Sequence, residues 1–222
     1  MNKRLSNLSA VTTAIIVFVV TMTFFSCSSK NDKADRLIKE RMSKTLYDYA
    51  SYDPIETIVT EAKASLYTDT TCWLMGNILY YLAEQAIKYG EQAKEAKEYM
   101  DIWGSPSYYS SSYSDSKYEK YKSEYLDAKA NFLTAMDFCE SISDTLRDKV
   151  SQLDGSITVG WEVIHKFRCK TKGGYATICN YRFVIDKKFK QILIEEDMDS
   201  DECNEKRTVF NAFLNEDYWQ IH

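Results

Sequence analysis

From Met75 to Trp103 the apolar residues fall at Leu79, Leu82, Ala86, Tyr89, Ala93, Ala96 and Met100, in steps alternating between four and three. This is the heptad seam of a coiled coil. The rule returns after a loop, at Tyr118, Tyr121, Tyr125, Ala128, Phe132, Ala135, Cys139, Ile142 and Leu146. Folded antiparallel, Trp103 meets Tyr118, Ala96 meets Tyr125, Tyr89 meets Phe132, Leu82 meets Cys139 and Met75 meets Leu146. One register serves the whole seam, so the spacing predicts a helical hairpin with arms roughly 43 Å long. Near the base, Trp73, Leu74, Ile78, Tyr80, Tyr81 and Ile87 widen the stripe around the helix, as expected of an element packed on several sides. Toward the tip the intervening residues become Glu91, Lys94, Glu95, Lys97 and Glu98, which predicts a solvated two-helix arm.

Two shorter helices are expected before the hairpin. One carries Ile38, Met42, Leu46 and Tyr49 on a single face; the other runs from about Pro54 through Ile58 and Val59 to Leu66. At Gly155 the period changes to two. Ile157, Val159, Trp161, Val163, His165, Phe167 and Cys169 alternate with mostly polar residues, which predicts a half-buried strand. Lys172, Gly173 and Gly174 supply a turn into a strand with Thr177, Cys179, Tyr181, Phe183 and Ile185, and a third strand runs through Ile192 and Ile194. A short amphipathic helix with Val209, Phe210, Phe213 and Leu214 ends the chain. The expected class is α+β: a helical region over 35–154 with its hairpin at 72–150, then a three-stranded antiparallel meander and C-terminal helix over 155–222. The hairpin base is expected to cover the sheet.

The chain opens with Lys3 and Arg4, an acid-free apolar run through Ile15, Ile16, Val17, Phe18, Val19 and Val20, and Phe24-Phe25-Ser26-Cys27. A basic start, a short apolar segment and a small residue before the cut make a secretory signal. With Cys27 at the cut, the segment resembles a bacterial lipoprotein signal of the Bacteroidota kind, although Phe24 stands where the usual pattern has an aliphatic residue. The resemblance implies that 1–26 is removed and that Cys27 carries the lipid. A polar tether over 27–34 would then hold the domain at the outer membrane of the cell envelope. The alternative, an uncleaved helical anchor, needs ~20 apolar residues, and the run is shorter than that.

Losing Lys3 and Arg4 takes the formal net charge from −5 to about −7 (−5 − 2). An acidic chain with no basic stripe argues against nucleic acid, because phosphate neutralisation supplies most of that affinity. Cys72, Cys139, Cys169, Cys179 and Cys203 show no C-x-x-C spacing, and the only histidines are His165 and His222. No metal and no cofactor are expected.

Four features invite a functional reading. His165 titrates near neutrality but sits on an apolar strand face without a fixed Ser, Cys or Asp partner, so a satisfied core histidine is preferred and no catalytic residue is assigned. Asp197, Asp199 and Asp201 open like a calcium loop, yet Glu202 and Thr208 stand where Gly and Glu should, which excludes an EF-hand and favours a charged turn. Cys169 would lie opposite Cys179 across a turn centred on Gly174, a geometry open to a disulfide or to two buried thiols. Between Gly104 and Lys117 nearly every residue is Ser or Tyr, including Tyr108, Tyr109 and Tyr113. This loop is either a low-complexity connector or a contact surface.

Ser51-Tyr52-Asp53-Pro54-Ile55-Glu56-Thr57, Ser65-Leu66-Tyr67-Thr68-Asp69 and Phe167-Arg168-Cys169-Lys170-Thr171-Lys172-Gly173-Gly174 resemble stretches of small envelope lipoproteins and secreted proteins of the Bacteroidota. The resemblance implies location and domain plan, and no activity. The expectation is a non-enzymatic, lipid-anchored envelope protein that binds a protein or glycan. The alternatives are a subunit of an envelope assembly and, third, a carboxylate-based hydrolase acting on carbohydrate.

Overall fold

The computed structural model describes residues 29–215; the expected signal over 1–26 and Cys27, the expected lipidation site, lie outside them. The chain is α+β. Helix α1 spans Lys30–Thr45, β1 Asp53–Lys63, α2 Thr70–Trp103, α3 Ser112–Ser151, β2 Thr158–Lys170, β3 Ala176–Asp186, β4 Ile192–Asp197 and α4 Asp201–Leu214. No helix among the described residues is long and apolar enough to cross a membrane.

The hairpin forms with the expected seam. Every seam position on α2 and α3 is buried or half-buried, and between Lys88 and Ile102 every other position except Gly90 is exposed. Tyr99 stacks on Tyr121 at 4.8 Å. Asp69 caps α2 by accepting from the N–H groups of Thr71 and Cys72. Gly104 ends α2 at φ 65°, a backbone conformation that favours glycine. Helix α3 starts earlier than the Ser/Tyr run suggested, at Ser112, because the Ser111 hydroxyl accepts from Ser114 N–H and caps it.

The sheet has four antiparallel strands in the order β1-β2-β3-β4, one more than expected. The added strand is β1, where the sequence suggested a helix from Pro54. Ile55, Thr57, Ile58, Val59 and Thr60 are β-branched and favour extended backbone over helix. Pro54 sits near the start of an edge strand, where its missing N–H costs no ladder bond. Lys63 at the end of β1 pairs with Thr158 at the start of β2, so the arm is an excursion between two adjacent strands and its feet stand side by side.

The covers also differ from expectation. The face of the sheet bearing Val163, Phe167, Phe183 and Ile185 packs against Ala34, Ile38 and Met42 of α1 rather than the hairpin base. Residues 30–34 therefore belong to a helix and not to a tether. Ser29 and Asp32 form a reciprocal capping box, and Ala34 is fully buried. The hairpin base instead takes α4: Val209, Phe210 and Phe213 pack on Leu79, Tyr80, Cys139 and Leu146. On the second sheet face Trp73 of α2 meets a small cluster of Ala62, Val184 and Ile194. Leu74, Ile78, Tyr81 and Ile87, expected inside, are exposed, because α4 covers only one side of the base.

Candidate functional site at the tip of the arm

Beyond α4 the hairpin has no other neighbour among the described residues. From Lys88 to Trp103 α2 rises roughly 24 Å at 1.5 Å per residue with α3 beside it. Its far end is a built turn. Ser110 N–H donates to the Ser107 carbonyl (3.1 Å), and Ser107 N–H donates to the Ser110 hydroxyl (2.9 Å). The Ser110 hydroxyl in turn donates to Asp115 in the first turn of α3. Tyr108 and Tyr109 occupy the two central positions of this turn, where side chains point away from the closing bond. They are 96% and 94% exposed, and their rings meet edge to face at 5.4 Å. Tyr113 differs: it packs edge-on against Trp103 at 5.6 Å and closes the end of the seam. The repetitive Ser/Tyr segment thus uses its serines for caps and turn bonds and displays two of its tyrosines.

The remaining candidates fall in the body. His165 is buried between α1 and the sheet. Thr57 donates its one hydroxyl proton to Asp35 (2.7 Å), so the contact from His165 Nδ1 to Thr57 (2.9 Å) has the imidazole N–H as donor. Nε2 then accepts from the Tyr52 hydroxyl at 2.7 Å. The ring is neutral and fully partnered, and burial lowers its pKa below the ordinary 6.5. Asp197 and Asp199 are turn builders. Asp197 accepts from Asp199 N–H, and Asp199 accepts from Asn180 N–H at the free end of β3. Among the described residues no group of three or more His, Cys, Asp or Glu could hold a metal ion.

Cys169 and Cys179 are not directly opposite one another. The turn is centred on Gly173 rather than Gly174, so Cys169 pairs with Thr177 and Phe167 with Cys179. The two thiols lie diagonally, with their sulfurs in contact at 3.7 Å. Arg182 on β3 is a further buried polar residue. It is 4% exposed and donates to Glu162 (2.5 Å), Glu196 (2.6 Å) and the Tyr67 carbonyl (2.9 Å). Arg207 of α4 joins at Glu196 and lies over the Tyr67 ring at 5.0 Å. This cluster ties β2, β3, β4 and α4 to the segment that leads into the arm. A cleft of about 340 Å³ opens beside it, but Glu162 in its lining is held by Arg182. The sequence held one hint of this site, a single arginine inside the apolar run Tyr181, Phe183, Val184, Ile185.

Comparison with known protein families, curated proteins and solved structures finds no match.

Proposed function

We propose that this chain is a lipid-anchored envelope protein that works as a non-enzymatic binding module and engages a protein or glycan partner through the tip of its arm. One observation carries the reading: Tyr108 and Tyr109 are held by a hydrogen-bonded turn at the end of a projecting hairpin and are almost wholly exposed. Folding gains nothing from tyrosine at those positions. Tyrosine supplies rigid amphipathic contact area at low entropy cost, which suits it to recognition. The anchor part of the reading rests on the sequence around Cys27.

The test separates the two parts. Replacing Tyr108 and Tyr109 with serine should leave the melting temperature unchanged, since surface substitutions of this kind cost within about 0.5 kcal/mol. Capture of partners from the native envelope should fall at least tenfold, because interface tyrosines can each contribute ~2 kcal/mol. Unchanged capture refutes the tip. Cys27→Ser should abolish labelling with a fatty-acid probe and release the chain from membranes; persistent labelling refutes the anchor.

A second reading, an assembly subunit, has its own observation. Leu126 and Leu133 lie seven residues apart on one face of α3 and are 53% and 51% exposed. That spacing suits pairing with another helix. Concentration-dependent self-association, lost in Leu126→Glu with Leu133→Glu, would favour it.

A further inference from the structure

We propose that Cys169 and Cys179 are an oxidisable pair that closes into an intramolecular disulfide, stapling β2 to β3 at the open end of the sheet. The inference is independent of the tip. Three observations support it. The two sulfurs are already in contact at 3.7 Å, so side-chain rotation with a small backbone adjustment is what separates the thiols from a bond. Although the register places them diagonally, the right-handed twist of paired strands draws one diagonal together. The place also needs a staple. Residues 171–176 beyond the pair are all exposed, and Tyr175 is 78% exposed, so among the described residues no apolar cover holds this end of the hairpin closed.

The other cysteines are differently placed. Cys72 and Cys139 sit in the core under α4, where burial pushes both thiols up to about 11, and Cys203 lies on α4. Selectivity therefore comes from proximity. The chemistry is two successive exchanges with a low-molecular-weight disulfide such as oxidised glutathione. One cysteine thiolate attacks it, forms a mixed disulfide and releases one glutathione. The second cysteine, as thiolate, attacks the protein sulfur and releases the other. Two S–H bonds and one S–S bond become one S–S bond and two S–H bonds, and the reductant is the protein pair. Burial and the hydrogen bond with Cys169 push the Cys179 thiol up to about 12, so closure should be slow at neutral pH and faster in mild alkali.

The experiment treats the folded full chain with oxidised glutathione at pH 8, blocks free thiols and digests with trypsin. Cleavage after Arg168, Lys170, Lys172 and Arg182 leaves Cys169-Lys170 joined to the 173–182 peptide if the bond has formed. That linked species should dominate, with Cys72, Cys139 and Cys203 recovered as blocked thiols. It should vanish in Cys169→Ala and in Cys179→Ala. The oxidised wild type should melt about 5 °C above the reduced protein, a comparison that needs no variant. Two free thiols after oxidation, glutathione retained on either cysteine without the link, or preferential linkage of any other pair would overturn the proposal.

Discussion

Arg182 is where the sheet holds the arm, and replacing it measures that connection. Its guanidinium makes ion pairs with Glu196, which is 10% exposed, and Glu162, which is about a third exposed, and its third contact is the Tyr67 carbonyl. Arg182→Met keeps the volume and removes all three. Removing one partner from a buried pair costs about 3–5 kcal/mol, because the remaining charge stays desolvated. The Glu162 half deserves discount, since water reaches it, and Arg207 keeps a 3.3 Å contact to Glu196. The Tyr67 carbonyl adds the cost of an unmet acceptor, about 1 kcal/mol. Near 3 kcal/mol is the expected loss, or roughly 6–12 °C in Tm for a chain of this size. Urea denaturation followed by circular dichroism reads it. A double-mutant cycle with Glu196→Gln should return a coupling of about 2 kcal/mol, because with Glu196 neutral the loss of Arg182 strands no buried charge. A single-variant cost below about 1 kcal/mol with no coupling would mean that solvent already screens the cluster, and the argument for a fixed arm would fail.

Two further outcomes follow from the body of the protein. His165 has its folded pKa lowered by burial, so its neutral form contributes stability in full above about 6.5, and that contribution is lost as pH falls from there through the folded value. The urea midpoint should decline between pH 7 and 5, and Tyr52→Phe, which leaves Nε2 without its donor, should cost about 1–3 kcal/mol at pH 7; a midpoint flat over that range would contradict the buried neutral ring. Gly160→Ala should cost more than 2 kcal/mol, because its Cβ would sit 2.2 Å from the Ile185 carbonyl oxygen and only backbone can yield; a Tm within 2 °C of the wild type would show that the strands separate easily there.

Sequence periodicity disclosed what depends on local repetition. The seam from Met75 to Trp103 and its return from Tyr118 to Leu146 is legible because a heptad names both the helix and its partner face. The alternation in β2 and β3 is legible for the same reason. β1 was hidden by an ambiguity of spacing: Ile55, Ile58 and Val59 fit a helical face, and only the β-branched run and the pairing to β2, about a hundred residues away, decide for strand. What covers which face was hidden too, because an amphipathic stripe states that it is buried and not against what. The helix α1 and the hairpin base were equally good covers on pattern alone. The burial of Arg182 was hidden for a subtler reason. Alternation assigns it to the polar face correctly, but that face is roofed at one end by the Tyr67 segment, and a roof made from distant sequence leaves no local mark.

The insertion of the arm between β1 and β2 bears on how a contact at the tip could matter to the rest of the chain. A hairpin appended at a terminus can swing on one linker, whereas this one returns to the strand beside the one it left, with Lys63 and Thr158 paired at its feet. Both feet are then fastened. Lys63 reaches the Thr158 hydroxyl (2.8 Å), Thr68 donates back to the Lys63 carbonyl, and Arg182 holds the Tyr67 carbonyl from below. Above the feet, α4 packs along one side of the base and the Ser143 hydroxyl donates to the Phe213 carbonyl. Rocking the arm would have to break several of these contacts together, so the tip is expected to present Tyr108 and Tyr109 in a fixed direction relative to the sheet. A partner meeting a preset pair of rings loses less freedom on binding than one that must order a mobile loop, and that preorganisation is what a rigid projecting arm adds to two exposed tyrosines.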